Sequence, residues 1–220
     1  MPAGLFGKLP AKRDFIAAHT PRRFLDAYEP WLQAALATAR AQLGDSFVEI
    51  YNQAPMWRYW LGAGLTGEAT AGVWMPSVDA MGRRFPLTLF SCETTAPPAP
   101  PEVDANDVWF NRAETLLLGA LDEGRSFEAL SEAAAAMPDP IAAAQDVGRL
   151  DDGTLLSRGE DGFALAFARM RRSGGRLFDG ASFWWTAGGP DYPSATLSCA
   201  GWPHPTRLQQ MMTGDFEERG

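Results

Sequence analysis

The sequence predicts an α/β fold in which helices pack on one mixed sheet. Apolar runs rich in aromatic and β-branched residues occur between residues 56 and 92 and again after residue 181. Runs with helical spacing precede and separate them, which implies a sheet assembled from distant segments. Of the 220 residues, 46% are apolar and 21% charged. That is ordinary globular composition and excludes disordered, collagen-like and coiled-coil chains. Residues 1–220 are expected to form a single domain, large enough to bury roughly 70% of the surface of the unfolded chain.

Leu5, Phe6 and Leu9 make a short apolar segment bounded by Gly4 and Pro10. Thr20-Pro21 reads as a helix start, a capping hydroxyl followed by Pro at the first helical position. Phe24, Leu25, Tyr28, Trp31, Leu32, Ala35, Leu36 and Leu43 keep helical spacing up to Gly44. Pro30 cannot donate to the carbonyl four residues back, so a kink or a fresh helix start is expected there. Met56 to Leu61, Ala71 to Met75 and Phe85 to Cys92 lack helical period and are bounded by Gly or Pro, as strands are. The Pro-rich stretch 94–101 reads as a surface crossover and not as a domain boundary. Helices are then expected around Val108 to Leu121, Phe127 to Met137 and Asp161 to Arg172. Strands follow at Ser182 to Thr186 and Ala195 to Cys199, and a short helix after Pro205.

Charge and motif content exclude several function classes. Lys plus Arg is 19 against 27 Asp plus Glu, for a net charge of −8. A general nucleic-acid or anionic-membrane binder carries the opposite balance. Cys92 and Cys199 are far apart and form no CxxC pattern, so reduced thiols are expected. The apolar N-terminal stretch is interrupted by Lys8, Lys12, Arg13 and Asp14, unlike a signal peptide. No stretch approaches the roughly 20 apolar residues of a membrane span, so the cytoplasm is the expected location. Gly62-Ala63-Gly64-Leu65-Thr66-Gly67 matches GxGxxG, yet a strand candidate follows it where a dinucleotide site requires a helix. It reads as a glycine-rich hairpin. No GxxxxGK[ST] or Gly-x-Ser-x-Gly occurs, and His19 and His204 have no nearby nucleophile in a recognised order. The two His and two Cys lack zinc-ligand spacing. The sequence therefore predicts no enzyme, no cofactor and no metal.

The polar residues that plain packing does not demand lie in Pro76-Ser77-Val78-Asp79-Ala80-Met81-Gly82-Arg83-Arg84-Phe85-Pro86, between two predicted strands. Ser77 and Asp79 can turn the chain by accepting from its own amides, and Gly82 can take a positive φ. Pairing of Arg83 or Arg84 with Asp79 would lock the loop. The alternative is an arginine fork displayed to grip a carboxylate or phosphate. Trp57 and Trp60 flank Arg58 and Tyr59, and Trp184 and Trp185 are adjacent. Neighbouring strand residues face opposite sides, so such pairs either fill the core or place one ring at an interface.

These segments resemble the TagF/ImpM family of type VI secretion-associated proteins. The resemblance rests on Gly4-Leu5-Phe6-Gly7-Lys8-Leu9-Pro10 with Asp14-Phe15, and on Pro55-Met56-Trp57-Arg58-Tyr59. It continues through Gly72-Val73, Pro76-Ser77, Asp79, Gly82-Arg83 and Phe85-Pro86-Leu87, to Ser182-Phe183-Trp184-Trp185-Thr186 with Gly188 and Gly189. One position departs: Arg13 stands where the family opening has Gly. The resemblance implies a three-layer α/β/α sandwich and a non-catalytic, post-translational repressor of secretion. Such a protein acts by binding, with a forkhead-associated scaffold protein or another secretion component as partner.

Combined, the two lines of argument predict one charged surface site. Ser77, Asp79, Arg83 and Arg84 would supply it together with Lys8 and Asp14 from the N-terminal loop, and Trp57, Arg58 and Trp185 would brace or rim it. The site would hold an acidic or polar segment of a partner protein. Two other classes compete. One is a hydrolase or transferase with Asp79 or Asp14 as base and Arg83 as anion clamp, which requires a deep pocket. The other is an assembly subunit of the secretion machine, which requires a large interface.

Overall fold

A computed structural model of the chain describes residues 3–91, 97–101, 105–122, 125–141, 148–149, 155–156 and 178–216. Its sheet has seven strands: β1 (Gly4–Gly7), β2 (Ile16–Ala18), β3 (Trp57–Leu61), β4 (Thr70–Met75), β5 (Leu87–Phe90), β8 (Ala181–Thr186) and β9 (Ala195–Ala200). Their spatial order is β2-β1-β5-β4-β3-β8-β9. Every pairing is antiparallel, which corrects the expected mixed sheet. A separate two-stranded ribbon joins β6 (Gly148–Arg149) to β7 (Leu155–Leu156). The expected helix at Asp161 to Arg172 and residue Cys92 lie outside the described residues.

The period-2 alternation of the strands divides the apolar residues into two clusters. Phe6, Trp57, Tyr59, Leu61, Trp74, Phe90 and Trp184 pack with α1 (Arg22–Leu43), α2 (Phe47–Gln53) and the last helix α6 (Arg207–Thr213). Leu5, Trp60, Ala71, Val73, Met75, Leu87 and Leu89 pack with α4 (Asp107–Gly119) and α5 (Phe127–Ala135). β4, in the middle of the sheet, is buried along all six residues. The tryptophans combine a large apolar surface with a donor that needs a partner. Trp31 donates to the Pro203 carbonyl and Trp57 to that of Met211, at 2.8 and 2.9 Å, which ties the C-terminal segment to the core. Trp60 and Trp109 donate to the carbonyls of Pro98 and Pro138 at 3.1 and 3.0 Å.

Three local expectations are corrected. Thr20 does not cap α1. Its hydroxyl donates to the carbonyls of Leu5 and Ala18, joining β1 and β2, and Pro21 takes the cap position. Pro30 lies inside α1, so of the two outcomes expected there the fresh helix start does not occur. It is exposed, and buried Tyr28, Trp31 and Leu32 hold the helix on both sides. The Gly62–Gly67 segment is the β3–β4 connection, as expected of a hairpin, but it contains one helical turn, α3 (Ala63–Thr66). A Cβ at Gly62 would lie 1.9 Å from the Phe178 carbonyl oxygen, so glycine there permits close backbone approach.

Candidate functional site

The β4–β5 loop folds on itself before it meets the rest of the chain. A bridge pairs Val78 with Arg84. The Phe85 N–H donates to the Ser77 carbonyl and the Asp79 N–H to that of Arg83, each at 3.1 Å. Gly82 makes the turn with φ +76° and open space where a side chain would stand, so backbone conformation alone favours glycine.

Asp79 organises this hairpin. One carboxylate oxygen accepts the Met81 and Arg83 amides, both at 2.9 Å. The other accepts Lys8 Nζ at 2.8 Å and Arg83 Nε at 2.7 Å. The Asp79 side chain is 0% exposed and that of Lys8 7%. Burial alone would raise the Asp79 carboxyl. The Lys8 ammonium, the Arg83 guanidinium and the two amides outweigh it, and hold the group well below the usual carboxylate range.

The loop is anchored on three sides. Ser77 Oγ donates to the Lys8 carbonyl at 2.8 Å, and the Ala80 amide to the Lys12 carbonyl at 2.9 Å. Arg83 also donates to the Arg13 carbonyl. Tyr51, at the end of α2, accepts the Ser77 amide and donates to the Ser77 carbonyl, at 3.1 and 3.0 Å. At its flank, Phe15 meets Phe85 edge-on at 4.8 Å and stacks on Phe6, with Lys8 Nζ 5.1 Å from its ring centre.

The loop's outer side combines apolar and cationic groups. Met81 is 62% and Phe15 48% exposed, and the Arg83 side chain is 57% exposed. Arg84 extends the other way, with Nε 3.3 Å from Asn52 Oδ1. It borders an open groove of about 460 Å³ against Leu36, Ala37 and Arg40 of α1, and a cleft of about 330 Å³ beside Tyr51 and Val78.

This loop and its partners fall within a recognised sequence family. The profile described as TagF N-terminal domain, type VI secretion system-associated, matches residues 4–137. The chain belongs to the TagF family. Three chains among solved structures match it, one of them in the crystal structure of PA0076 from Pseudomonas aeruginosa PAO1 at 2.05 Å resolution. That match has 29% sequence identity and a TM-score of 0.79, and covers 99% of this chain and 97% of the other. No curated protein matches.

In this TagF chain the predicted site residues separate into groups. Lys8, Ser77, Asp79 and Arg83 come together, but the first three are buried, so the Asp79 pairing takes the loop-locking form. Arg84 lies beside them at the surface. Asp14 is exposed on the N-terminal loop next to Arg13, whose φ is not positive, so Arg is unstrained there. Trp57, Arg58 and Trp185 do not rim the site. Trp57 is fully buried on the α1 side of the sheet. Arg58 grips Glu114 of α4 with two bonds of 2.7 and 2.9 Å, and bonds Asp107 and Asn111. Trp185 lies half-buried against Phe110, ring centres 4.9 Å apart. Strand alternation places these last two on the α4 face.

Sequence reasoning missed Tyr51, Phe15 and Met81 as site residues. Tyr51 lies past Gly44, where the helical spacing of the sequence ends, although a 3₁₀ turn continues directly into α2. The signal for Met81 was a large apolar residue immediately before a turn glycine. Among the described residues no three His, Cys, Asp or Glu side chains gather as metal ligands, and no helix is long and apolar enough to cross a membrane.

Proposed function

We propose that this TagF domain is a non-catalytic, post-translational repressor of type VI secretion that works by binding protein. Its docking surface is the outer side of the 76–86 loop, Met81, Arg83 and Arg84, together with Phe15. One observation carries the reading. A fully buried carboxylate, four hydrogen bonds and a buried lysine hold rigid a loop that exposes large apolar side chains and arginines. On a chain of net charge −8 such a surface suits an acidic segment with apolar side chains. The partner in this account is the forkhead-associated scaffold protein of the secretion pathway, held in the cytoplasm. Residues 1–220 act as one unit, and the division of apolar side chains between two helix sets favours α/β/α layering.

An enzyme with Asp79 as base is disfavoured. A general base needs a free oxygen facing substrate and a pKa near the working pH. Both Asp79 oxygens already accept two bonds each, and their surroundings depress the pKa.

The test is capture of partners from lysate of the native organism, with the purified chain and its Met81→Asp variant, followed by mass spectrometry. Recovery of the forkhead-associated scaffold by the parent chain and its loss with folded Met81→Asp supports the account. Equal recovery by both, or recovery of no secretion component by either, refutes it.

A further inference from the structure

The groove of about 460 Å³ runs between α1 and the end of the 76–86 loop. Its α1 wall is Gln33, Leu36, Ala37, Arg40 and Ala41, the i, i+3, i+4, i+7, i+8 stripe of one helix face, about 12 Å long. Arg84 and buried Phe85 form the other wall. The Val78–Arg84 bridge and the bond from the Phe85 amide to the Ser77 carbonyl fix that wall, in the same hairpin that Asp79 braces. Ala37 and Ala41 are small and exposed, so another backbone can approach α1 closely there.

Two cations flank this apolar floor. The Arg40 guanidinium lies over the Phe47 ring, 5.0 Å from its centre. Arg84 Nε is 3.3 Å from Asn52 Oδ1, and Nη1 is 3.4 Å from the Gly82 carbonyl. Neutral groups therefore position both. The other two arginines of α1, Arg22 and Arg23, pair with Asp26 and Glu68, and Arg83 pairs with Asp79. A guanidinium seated on a ring or an amide keeps its charge for an outside carboxylate, to which it offers a two-bond fork. Val48, one helical turn before Asn52 on α2, is 46% exposed and extends the apolar surface beside Arg84.

We propose that this groove receives an acidic amphipathic helix of a partner protein. About two turns of it lie along α1, with an apolar side chain between Leu36 and Phe85 and carboxylates on Arg40 and Arg84. Charge selects this occupant. A neutral or basic helix would bury or repel the two guanidiniums, whereas an acidic one pairs with them. The net charge of −8 does not oppose this, because the Debye length is about 8 Å at physiological salt and the guanidiniums act at contact. The groove meets the proposed docking surface only at Arg84, and its occupancy does not depend on which protein that surface holds.

Random peptides of about 16 residues, roughly four helical turns, test this when displayed on phage, depleted on Arg40→Glu protein and selected on the parent chain. Enriched sequences should carry leucine or phenylalanine at helical spacing with flanking aspartate or glutamate. A fluorescein-labelled enriched peptide should bind the parent and lose at least about tenfold in affinity with Arg40→Glu, and equally with Ala37→Trp, which fills the groove. Both positions are exposed, so the variants keep the fold, and circular dichroism checks that. Binding to Met81→Asp should be unchanged, which separates this site from the docking surface. Selection of no acidic helical sequence, or affinity indifferent to Arg40→Glu, overturns the proposal. So does loss with Arg40→Glu but not with Ala37→Trp, which is attraction without a groove, and so does loss with Met81→Asp, which puts the peptide on the loop's outer side. Self-association of the parent chain that Arg40→Glu abolishes would make a second copy the occupant and overturn it as well.

Discussion

Replacing Tyr51 by Phe removes one oxygen atom and with it two hydrogen bonds between α2 and the loop. The hydroxyl donates to the Ser77 carbonyl at 3.0 Å and accepts the Ser77 amide at 3.1 Å. The two losses are unequal. The Ser77 carbonyl keeps the Phe85 amide at 3.1 Å, so losing the donated bond costs about 1 kcal/mol. The buried Ser77 amide has no other partner among the described residues, and leaving it unpaired costs about 1–3 kcal/mol. The ring keeps its packing, so no cavity term is added. The expected loss is about 2–4 kcal/mol, which lowers Tm by about 5–12 °C in a chain of this length. Urea unfolding followed by tryptophan fluorescence and circular dichroism reads it, with unchanged slope marking a pure stability effect. A loss under about 0.5 kcal/mol would refute the reasoning, because it would mean that the hydroxyl does not hold the loop.

Two further predictions concern charge. The Asp79 carboxyl is depressed in the folded state, so its contribution is fully present above its unfolded value of about 3.9 and fades as pH falls from there toward the folded value. Asp79→Asn should be less stable than the parent at pH 7, with the difference narrowing below about pH 4 in denaturation series. Arg58→Met should cost about 2 kcal/mol, because half-buried Glu114 loses a two-bond partner at a site still open to water. Arg58→Lys should recover less than half of that, since an ammonium cannot reproduce the fork.

Much of the fold was legible because burial writes itself into periodicity. The helical run from Phe24 to Leu43 and the aperiodic runs at 56–61, 71–75 and 182–186 appear as elements within a residue or two. β2 has three residues, too few for a period, and it exists because the Thr20 hydroxyl and β1 hold it. The sense of strand pairing was not legible, since it depends on where each connection re-enters the sheet. In the site, the sequence exposed the loop residues and both of their uses, locking and display. It placed Lys8, 71 positions away, in one charged surface site with Asp79, but did not say that the two would pair directly and be buried. Nor did it place Arg58 on the α4 face, a matter of one residue of strand register.

The most direct test of the docking surface is calorimetric titration of the forkhead-associated scaffold with the chain and with Met81→Asp. Met81 is 62% exposed and only its backbone contributes to the Asp79 network, so the variant keeps the fold. Loss of an interface anchor worth at least about 2 kcal/mol predicts affinity weakened about thirtyfold or more at unchanged Tm. Equal affinity of the two proteins, or no binding by the parent chain, would contradict the account.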